Sequence, residues 1–166
     1  MHTGYQLVWI ASERTPDYPA MVDDVTGRGL SYRELIAEID AVAAGLAGRG
    51  INAGSRVATA LPSTWEHCLA ILALMRLNAI PALLNFRLKP EEISGLCEFC
   101  EIDAAIILPD PALAEMVAGA LPDGAPVWSV GGDAGSAEDF VGCRGDGSAL
   151  PPYVKPAETD IAFLFF

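Results

Sequence analysis

Apolar positions along the chain follow two periods in turn, and their alternation predicts the order of the secondary-structure elements. Helical spacing predicts helices over 5–13, 31–50, 64–77, from residue 90 to about 100, and over 110–121. Short apolar runs predict strands over 56–61, 79–84, 104–108, 126–130 and 160–166, and two extended pieces, 18–25 and Leu30, flank a glycine turn like a hairpin. Helices that alternate with strands through short loops predict an α/β fold with a mostly parallel sheet and flanking helices.

Polar residues at the ends of these runs indicate where two helices begin. Ser31 with Glu34 has the spacing of a capping box, in which each side chain satisfies a free backbone N–H at the helix start. Ser63 with Glu66 repeats that spacing and predicts a second box. Pro81 lacks an N–H, so we expect it early in its strand or at a sheet edge.

The last apolar run, 160–166, is apolar on both faces. Such a pattern is typical of a central strand in a parallel sheet that helices cover on both sides. An exposed run with three phenylalanines is unusual at a natural terminus. We therefore expect a central strand, and a chain that is the opening part of a longer protein.

The predicted elements divide the chain into three parts. Residues 1–130 form the α/β scaffold, residues 131–158 form an irregular connection rich in glycine and proline, and residues 159–166 form the last strand. The segment 131–135 resembles a phosphate loop only superficially, because it lacks both the glycine spacing and a lysine. We interpret it as a turn.

Composition places the chain among globular proteins and excludes some partners. The 166 residues are 52% hydrophobic and 19% charged, with a net charge of −12. No nucleic-acid partner is expected, because phosphate binding needs a basic stripe. The amino terminus does not resemble a secretory signal, and Arg76, Asn78 and Pro81 interrupt the longest apolar stretch, so we expect no membrane span and a cytoplasmic protein.

Few residues suggest chemistry on their own. Cys97 and Cys100 form a C-x-x-C without further metal ligands, which favours reduced thiols on a buried helix face. His67 has no ligand partner at helical spacing and is interpreted as a packed or surface side chain. Glu91 and Glu92 fit a helix start. No catalytic or metal-binding residue is therefore assigned.

The polar segment 85–89 is the one candidate binding site. It follows the carboxyl end of a predicted strand, where ligands bind in open α/β sheets, and it carries Arg87 and Lys89. An arginine pairs with phosphate through its planar fork, so the segment could meet a phosphate-bearing ligand. The alternative is a solvated loop whose cations offset the acidic surroundings.

Several segments between residues 30 and 107 together resemble the adenylate-forming superfamily. They are the L-[ST]-Y-x-E-L segment at 30–35, and the segments 54–58, 61–63 with Glu66, 73–85, 87–88 and 90–93. This superfamily contains acyl- and aryl-CoA ligases, peptide-synthetase adenylation domains and firefly luciferases, and segment 81–85 is most similar to 4-chlorobenzoate-type aryl-CoA ligases. The resemblance implies that the chain is the incomplete amino-terminal part of the large AMP-binding domain.

The resemblance also implies a reaction and its cofactors. In such ligases a carboxylate attacks the α-phosphate of Mg-ATP to give an acyl-adenylate and pyrophosphate, and the thiol of CoA then displaces AMP. The phosphate loop, the magnesium ligand and the catalytic lysine of the family are not in this sequence, so ATP, magnesium and CoA are implied for the parent enzyme and none is expected on this chain, which we expect to be inactive alone. Arg87 matches an arginine that lies near the CoA phosphates. Asn78 stands where the family usually has glycine and should tolerate the same left-handed helix end.

Two other interpretations stay open. The chain could be a complete small ligand-binding or interaction module of the same fold, or part of a peptide-synthetase-type adenylation domain that delivers its acyl group to a carrier protein. The sequence does not identify the carboxylic acid, the acceptor or the oligomeric state.

Overall fold

The structure, a computed structural model, describes residues 2–24, 26–132 and 134–166. Its helices are α1 (Gly4–Arg14), α2 (Tyr32–Ala47), α3 (Trp65–Arg76), α4 (Pro90–Phe99) and α5 (Pro111–Ala120). Its strands are β1 (Pro19–Val22), β2 (Gly29–Ser31), β3 (Arg56–Ala60), β4 (Ile80–Leu83), β5 (Ala104–Ile107), β6 (Val127–Ser129), β7 (Glu138–Asp139) and β8 (Leu164–Phe165). The predicted alternation of helices and strands is confirmed.

Six strands form one parallel sheet in the order β7-β6-β5-β3-β4-β8, which confirms the mostly parallel α/β fold. Pro81 is the second residue of β4, and β8 pairs with that strand only from Ala82 onward, so the missing N–H does not interrupt that pairing. Strands β1 and β2 form a separate antiparallel hairpin. Val25, at the end of the predicted extended piece 18–25, lies outside the described residues.

The two faces of the sheet contribute to two core clusters. On β3, Val57 belongs to the first cluster with residues of α2 and α3, and Ala58 belongs to the second with residues of α4 and α5. Ile106 and Ile107 of β5 divide between the clusters in the same way. Both faces of the central strands are therefore covered, which explains why their sequences are apolar without alternation.

The capping box at the start of α2 is confirmed, and the one proposed for α3 is wrong. Ser31 Oγ accepts from Glu34 N, and Glu34 Oε2 accepts from Ser31 N at 2.8 Å. The hydrogen bonds that this carboxylate accepts from the Ser31 N–H and from the Ser31 hydroxyl lower the pKa of Glu34. In α3 the cap is Thr64 rather than Ser63, because a turn in which Thr64 N donates to the Pro62 carbonyl delays the helix by one residue. The third helical position is then His67 instead of Glu66.

The last strand lies at an edge of the sheet, so the prediction of a central strand is wrong. Only Leu164 and Phe165 pair with β4, and no other strand within the described ranges pairs with β8. Phe165 is 72% exposed. A strand that is apolar on both faces is stable when other elements bury both faces. The described residues do not form such elements beside β8.

The connection 131–158 is mostly irregular in the structure, but it contains strand β7. Glu138 and Asp139 pair with β6 at the other edge of the sheet. Two exposed acidic residues carry no hydrophobic alternation, so the sequence could not reveal this strand. Within the segment 131–135, Gly131 has a φ of 90°, and Asp133 lies outside the described residues.

The four cysteines are free thiols in the structure. Cys97 and Cys100 are buried in the second core cluster, in agreement with the buried-face interpretation. Burial raises the pKa of Cys97 to about 12, so this thiol stays protonated at neutral pH and is a poor nucleophile. Among the helices of the described ranges, none is long and apolar enough to cross a membrane.

Candidate functional site

The loops that follow the parallel strands meet at the carboxyl edge of the sheet, where α/β folds usually bind ligands. The loop after β4 is the cationic one among those that follow β3, β4, β5 and β6. We call residues 85–89 the β4 turn. It carries Arg87 and Lys89, whereas the segments 61–64, 108–110 and 130–132 contain no lysine or arginine.

The β4 turn is a tight turn with alternating inward and outward side chains. Leu88 N donates to the Asn85 carbonyl at 3.1 Å, and Arg87 N donates to Asn85 Oδ1 at 3.0 Å. Phe86 and Leu88 pack against the second core cluster. Asn85, Arg87 and Lys89 are exposed. The apolar residues thus fasten the turn to the core and leave its polar groups accessible.

The start of α4 directly follows Arg87 and Leu88. Lys89 occupies the cap position, and its backbone N–H donates to Glu92 Oε2 at 2.8 Å. Pro90 is in the first turn, where its missing N–H costs nothing. The Glu92 carboxylate therefore completes a helix start, consistent with the interpretation of Glu91 and Glu92 from the sequence.

Charge distinguishes the β4 turn from most of the surface. The arginines in ion pairs are Arg33, Arg49, Arg56, Arg76 and Arg144. Across the part of the chain that the structure describes, neither Arg87 nor Lys89 has such an acidic partner; the Arg87 guanidinium instead lies 5.5 Å from the centre of the Phe86 ring. On a protein with 22 acidic and 10 basic residues, these cations are available to an anion.

The imidazole ring of His67, in the first turn of α3, forms hydrogen bonds with the end of β3 and with the loop that follows it. Its Nδ1 lies 3.1 Å from the Pro62 carbonyl, which can only accept, so Nδ1 carries the hydrogen. Nε2 then accepts from the Thr59 hydroxyl at 3.1 Å. Burial lowers the pKa of His67, which keeps the ring neutral at pH 7. Both ring nitrogens are engaged by the chain, in agreement with a packed histidine.

Cavities also lie elsewhere among the described residues, one walled by segments far apart in the sequence and one by residues 129–141. A cavity of about 790 Å³ lies among the start of α1, the start of β4 and residues 154–163. Asn78 lines it, with a φ of 55° that confirms the left-handed helix end, and its Nδ2 donates to the Val154 carbonyl. A cavity of about 560 Å³ adjoins Ser129 and Asp139. The β4 turn lines neither of them.

Comparisons with known proteins agree on one family. Residues 8–166 match the AMP-binding enzyme family. The chain is 36% identical to a 4-chlorobenzoate–CoA ligase of Arthrobacter sp., over 100% of the chain and 31% of that protein. It is 38% identical to a 2,3-dihydroxybenzoate-AMP ligase of Bacillus subtilis, over 81% of the chain and 25% of that protein.

The fold also matches a solved structure. The apo structure of MbtA from Mycobacterium smegmatis superposes with a TM-score of 0.84 at 26% identity, covering 99% of the chain and 31% of that protein. The chain thus spans about a third or less of the length of these relatives.

Proposed function

The chain belongs to the AMP-binding enzyme family, and we propose that it is the amino-terminal part of a carboxylate–CoA ligase. The complete enzyme joins a carboxylate to the α-phosphate of ATP, releases pyrophosphate, and passes the acyl group to the thiol of CoA with release of AMP. The similarity to the 4-chlorobenzoate–CoA ligase along the whole chain carries this proposal. It also makes aromatic carboxylates the first substrate class to test.

Within this chain the β4 turn is the proposed contact with the phosphates of CoA. An exposed arginine without an acidic partner can present its planar fork to two phosphate oxygens. Lys89 adds a second positive charge two residues away, which raises the local concentration of an anionic ligand. ATP and magnesium are assigned to none of the described residues, and no catalytic residue is assigned. The 166-residue chain is therefore proposed to be inactive by itself.

Replacing Arg87 by alanine in the full-length enzyme should weaken CoA binding and leave adenylation intact. We expect the KM for CoA to rise about tenfold, because one bidentate charge-assisted pair is lost. Arg87→Lys should lie between the parent and Arg87→Ala, since a lysine keeps the charge without the fork. Thioester formation measures the KM for CoA, and carboxylate-dependent exchange between ATP and pyrophosphate measures adenylation.

Arg33→Ala is the matched control for this substitution. Arg33 is an exposed arginine at the start of α2 that pairs with Asp17, so its loss changes the net charge equally without touching the β4 turn. The KM for CoA should stay at the parent value. An unchanged KM in Arg87→Ala, or an equal rise in both variants, would assign the β4 turn to the solvated surface.

A second acceptor is supported by a specific observation. The relative from Bacillus subtilis is a 2,3-dihydroxybenzoate-AMP ligase, whose name includes no CoA. If the acceptor is instead the pantetheine arm of a carrier protein, the full-length enzyme will form the acyl-adenylate but give no thioester with free CoA. Comparing free CoA with a loaded carrier protein as acceptor distinguishes the two proposals.

A further inference from the structure

We propose that Phe86 and Asn85 are positioning residues that hold Arg87 ready for phosphate, a role that rests on the proposed contact between Arg87 and CoA. An exposed arginine normally samples many rotamers, and ordering it on binding costs free energy. A turn that orders the side chain in advance reduces that cost. The β4 turn contains two features that do this, one acting on the backbone and one on the side chain.

The backbone of Arg87 is fixed by Asn85. The side-chain oxygen of Asn85 accepts the Arg87 N–H at 3.0 Å, two residues along the chain, as in an Asx turn. The Asn85 carbonyl also accepts the Leu88 N–H at 3.1 Å, which closes the turn. One residue therefore holds the turn from both its side chain and its main chain, and it sets the direction in which the Arg87 side chain leaves the surface.

The side chain of Arg87 is steadied by Phe86. The ring of Phe86 is half-buried and packs against the second core cluster, so it forms a fixed surface rather than a mobile one. The guanidinium carbon of Arg87 lies 5.5 Å from the centre of that ring, within the range of a cation–π contact. A guanidinium that rests on a ring keeps its charge and its N–H groups for an anion, whereas an ion pair with a carboxylate would engage them.

The neighbouring residues show what the Phe86 ring contributes. Within the described residues, Glu92 contacts the β4 turn through its carboxylate, which accepts the Lys89 N–H at the helix cap. Leu88 packs against the same core cluster as Phe86, but its side chain is aliphatic and cannot form a cation–π contact with Arg87. Phe86 and Leu88 both attach the turn to the core, and Phe86 is the one of the two with an aromatic face.

A double-mutant cycle in the full-length enzyme tests the proposal. Phe86→Leu keeps an apolar anchor and removes the aromatic face, and we expect the KM for CoA to rise about three- to fivefold with adenylation unchanged. Asn85→Ala should raise it by a similar factor. Phe86→Tyr should keep the parent value. Phe99→Leu makes the same change at an exposed ring at the end of α4, outside the β4 turn, and should leave the KM for CoA unchanged. In the Arg87→Ala background, Phe86→Leu should have no further effect, because it acts only through Arg87.

The outcomes separate this proposal from the function on which it rests. If Arg87→Ala raises the KM for CoA and Phe86→Leu does not, the positioning role is overturned and the CoA contact stands. Equal effects of Phe86→Leu with and without Arg87 would also overturn it, because the ring would then act directly on CoA or on folding. If Arg87→Ala itself leaves the KM unchanged, the CoA contact fails, and the positioning role fails with it.

Discussion

Gly45→Ala is expected to lower the free energy of unfolding of the chain by about 2 to 3 kcal/mol, as overpacked core substitutions do. Gly45 is buried within α2, where the connection 131–158 lies directly against the helix. A Cβ atom at Gly45 would lie 2.5 Å from the backbone oxygen of Cys143. Backbone atoms cannot rotate aside, so the connection would have to move.

The contacts around Gly45 show what such a movement would disturb. Gly145 N donates to the Ala41 carbonyl at 2.9 Å, and a Cβ atom at Gly145 would itself lie 2.9 Å from Ala44. Nearby, Arg144 Nη2 lies 2.7 Å from a carboxylate oxygen of Glu38. Two glycines facing each other thus allow the close approach on which these bonds depend.

Gly95→Ala is the matched control, because it makes the same change inside α4 where the new Cβ would meet nothing within 4 Å. That variant should be more stable than the parent by up to about 1 kcal/mol, since alanine favours helix over glycine. Urea unfolding of the 166-residue chain compares the two. A Gly45→Ala variant as stable as the parent would contradict the close packing described for the connection.

Arg76→Ala is expected to lower the free energy of unfolding by about 2 to 3 kcal/mol, because it removes the buried partner of an ion pair. The Arg76 side chain is 8% exposed, and its Nε lies 3.1 Å from Asp40 Oδ1. Nη2 donates to the Pro151 carbonyl at 3.0 Å. The guanidinium also lies beside the rings of Tyr5 and Tyr153, at 5.4 and 5.7 Å from their centres. One side chain therefore links α1, α2, α3 and the connection.

The effect should stay below the upper end for buried pairs because the Asp40 side chain is 39% exposed, so water partly solvates it when Arg76 is absent. Arg33→Ala breaks an ion pair whose side chains are 65% and 84% exposed, and it should cost about 0.5 kcal/mol or less. Urea unfolding of both variants gives the comparison. Equal losses in the two variants would show that burial of Arg76 contributes nothing.

Gly45→Ala and Arg76→Ala both test how the connection 131–158 is held against the helices. The connection leaves β7 at one edge of the sheet and reaches β8 at the other. Along this path it contacts α2 at Gly45 and α3 at Arg76, so it runs across the helices that cover the first core cluster. Its irregular backbone is held by specific contacts rather than by secondary structure.

The order of elements could be predicted because helices and strands impose different periods on apolar residues. The capping box of Ser31 and Glu34 was also predictable, because it depends on two residues that are three positions apart in the sequence. The start of α3 was predicted one residue early, because the turn between Pro62 and Thr64 is a detail of backbone geometry. Edge positions of β7 and β8 were not predictable, since strand order depends on packing between distant segments.

The candidate site shows the same division. The location of Arg87 and Lys89 after the carboxyl end of a strand could be predicted from the apolar run 79–84 that precedes them. The ring of Phe86 near the guanidinium and the acceptor role of Asn85 did not, because they depend on the shape of the turn. Arg76 was predicted only as a polar interruption of an apolar stretch, since its partner Asp40 lies 36 residues away.

The most direct test of the account is the reaction of the full-length enzyme with an aromatic carboxylate, ATP, magnesium and CoA. We expect equal amounts of AMP, pyrophosphate and acyl-CoA thioester, and no pyrophosphate from the 166-residue chain under the same conditions. ADP and phosphate as products, or pyrophosphate release by the 166-residue chain alone, would contradict it.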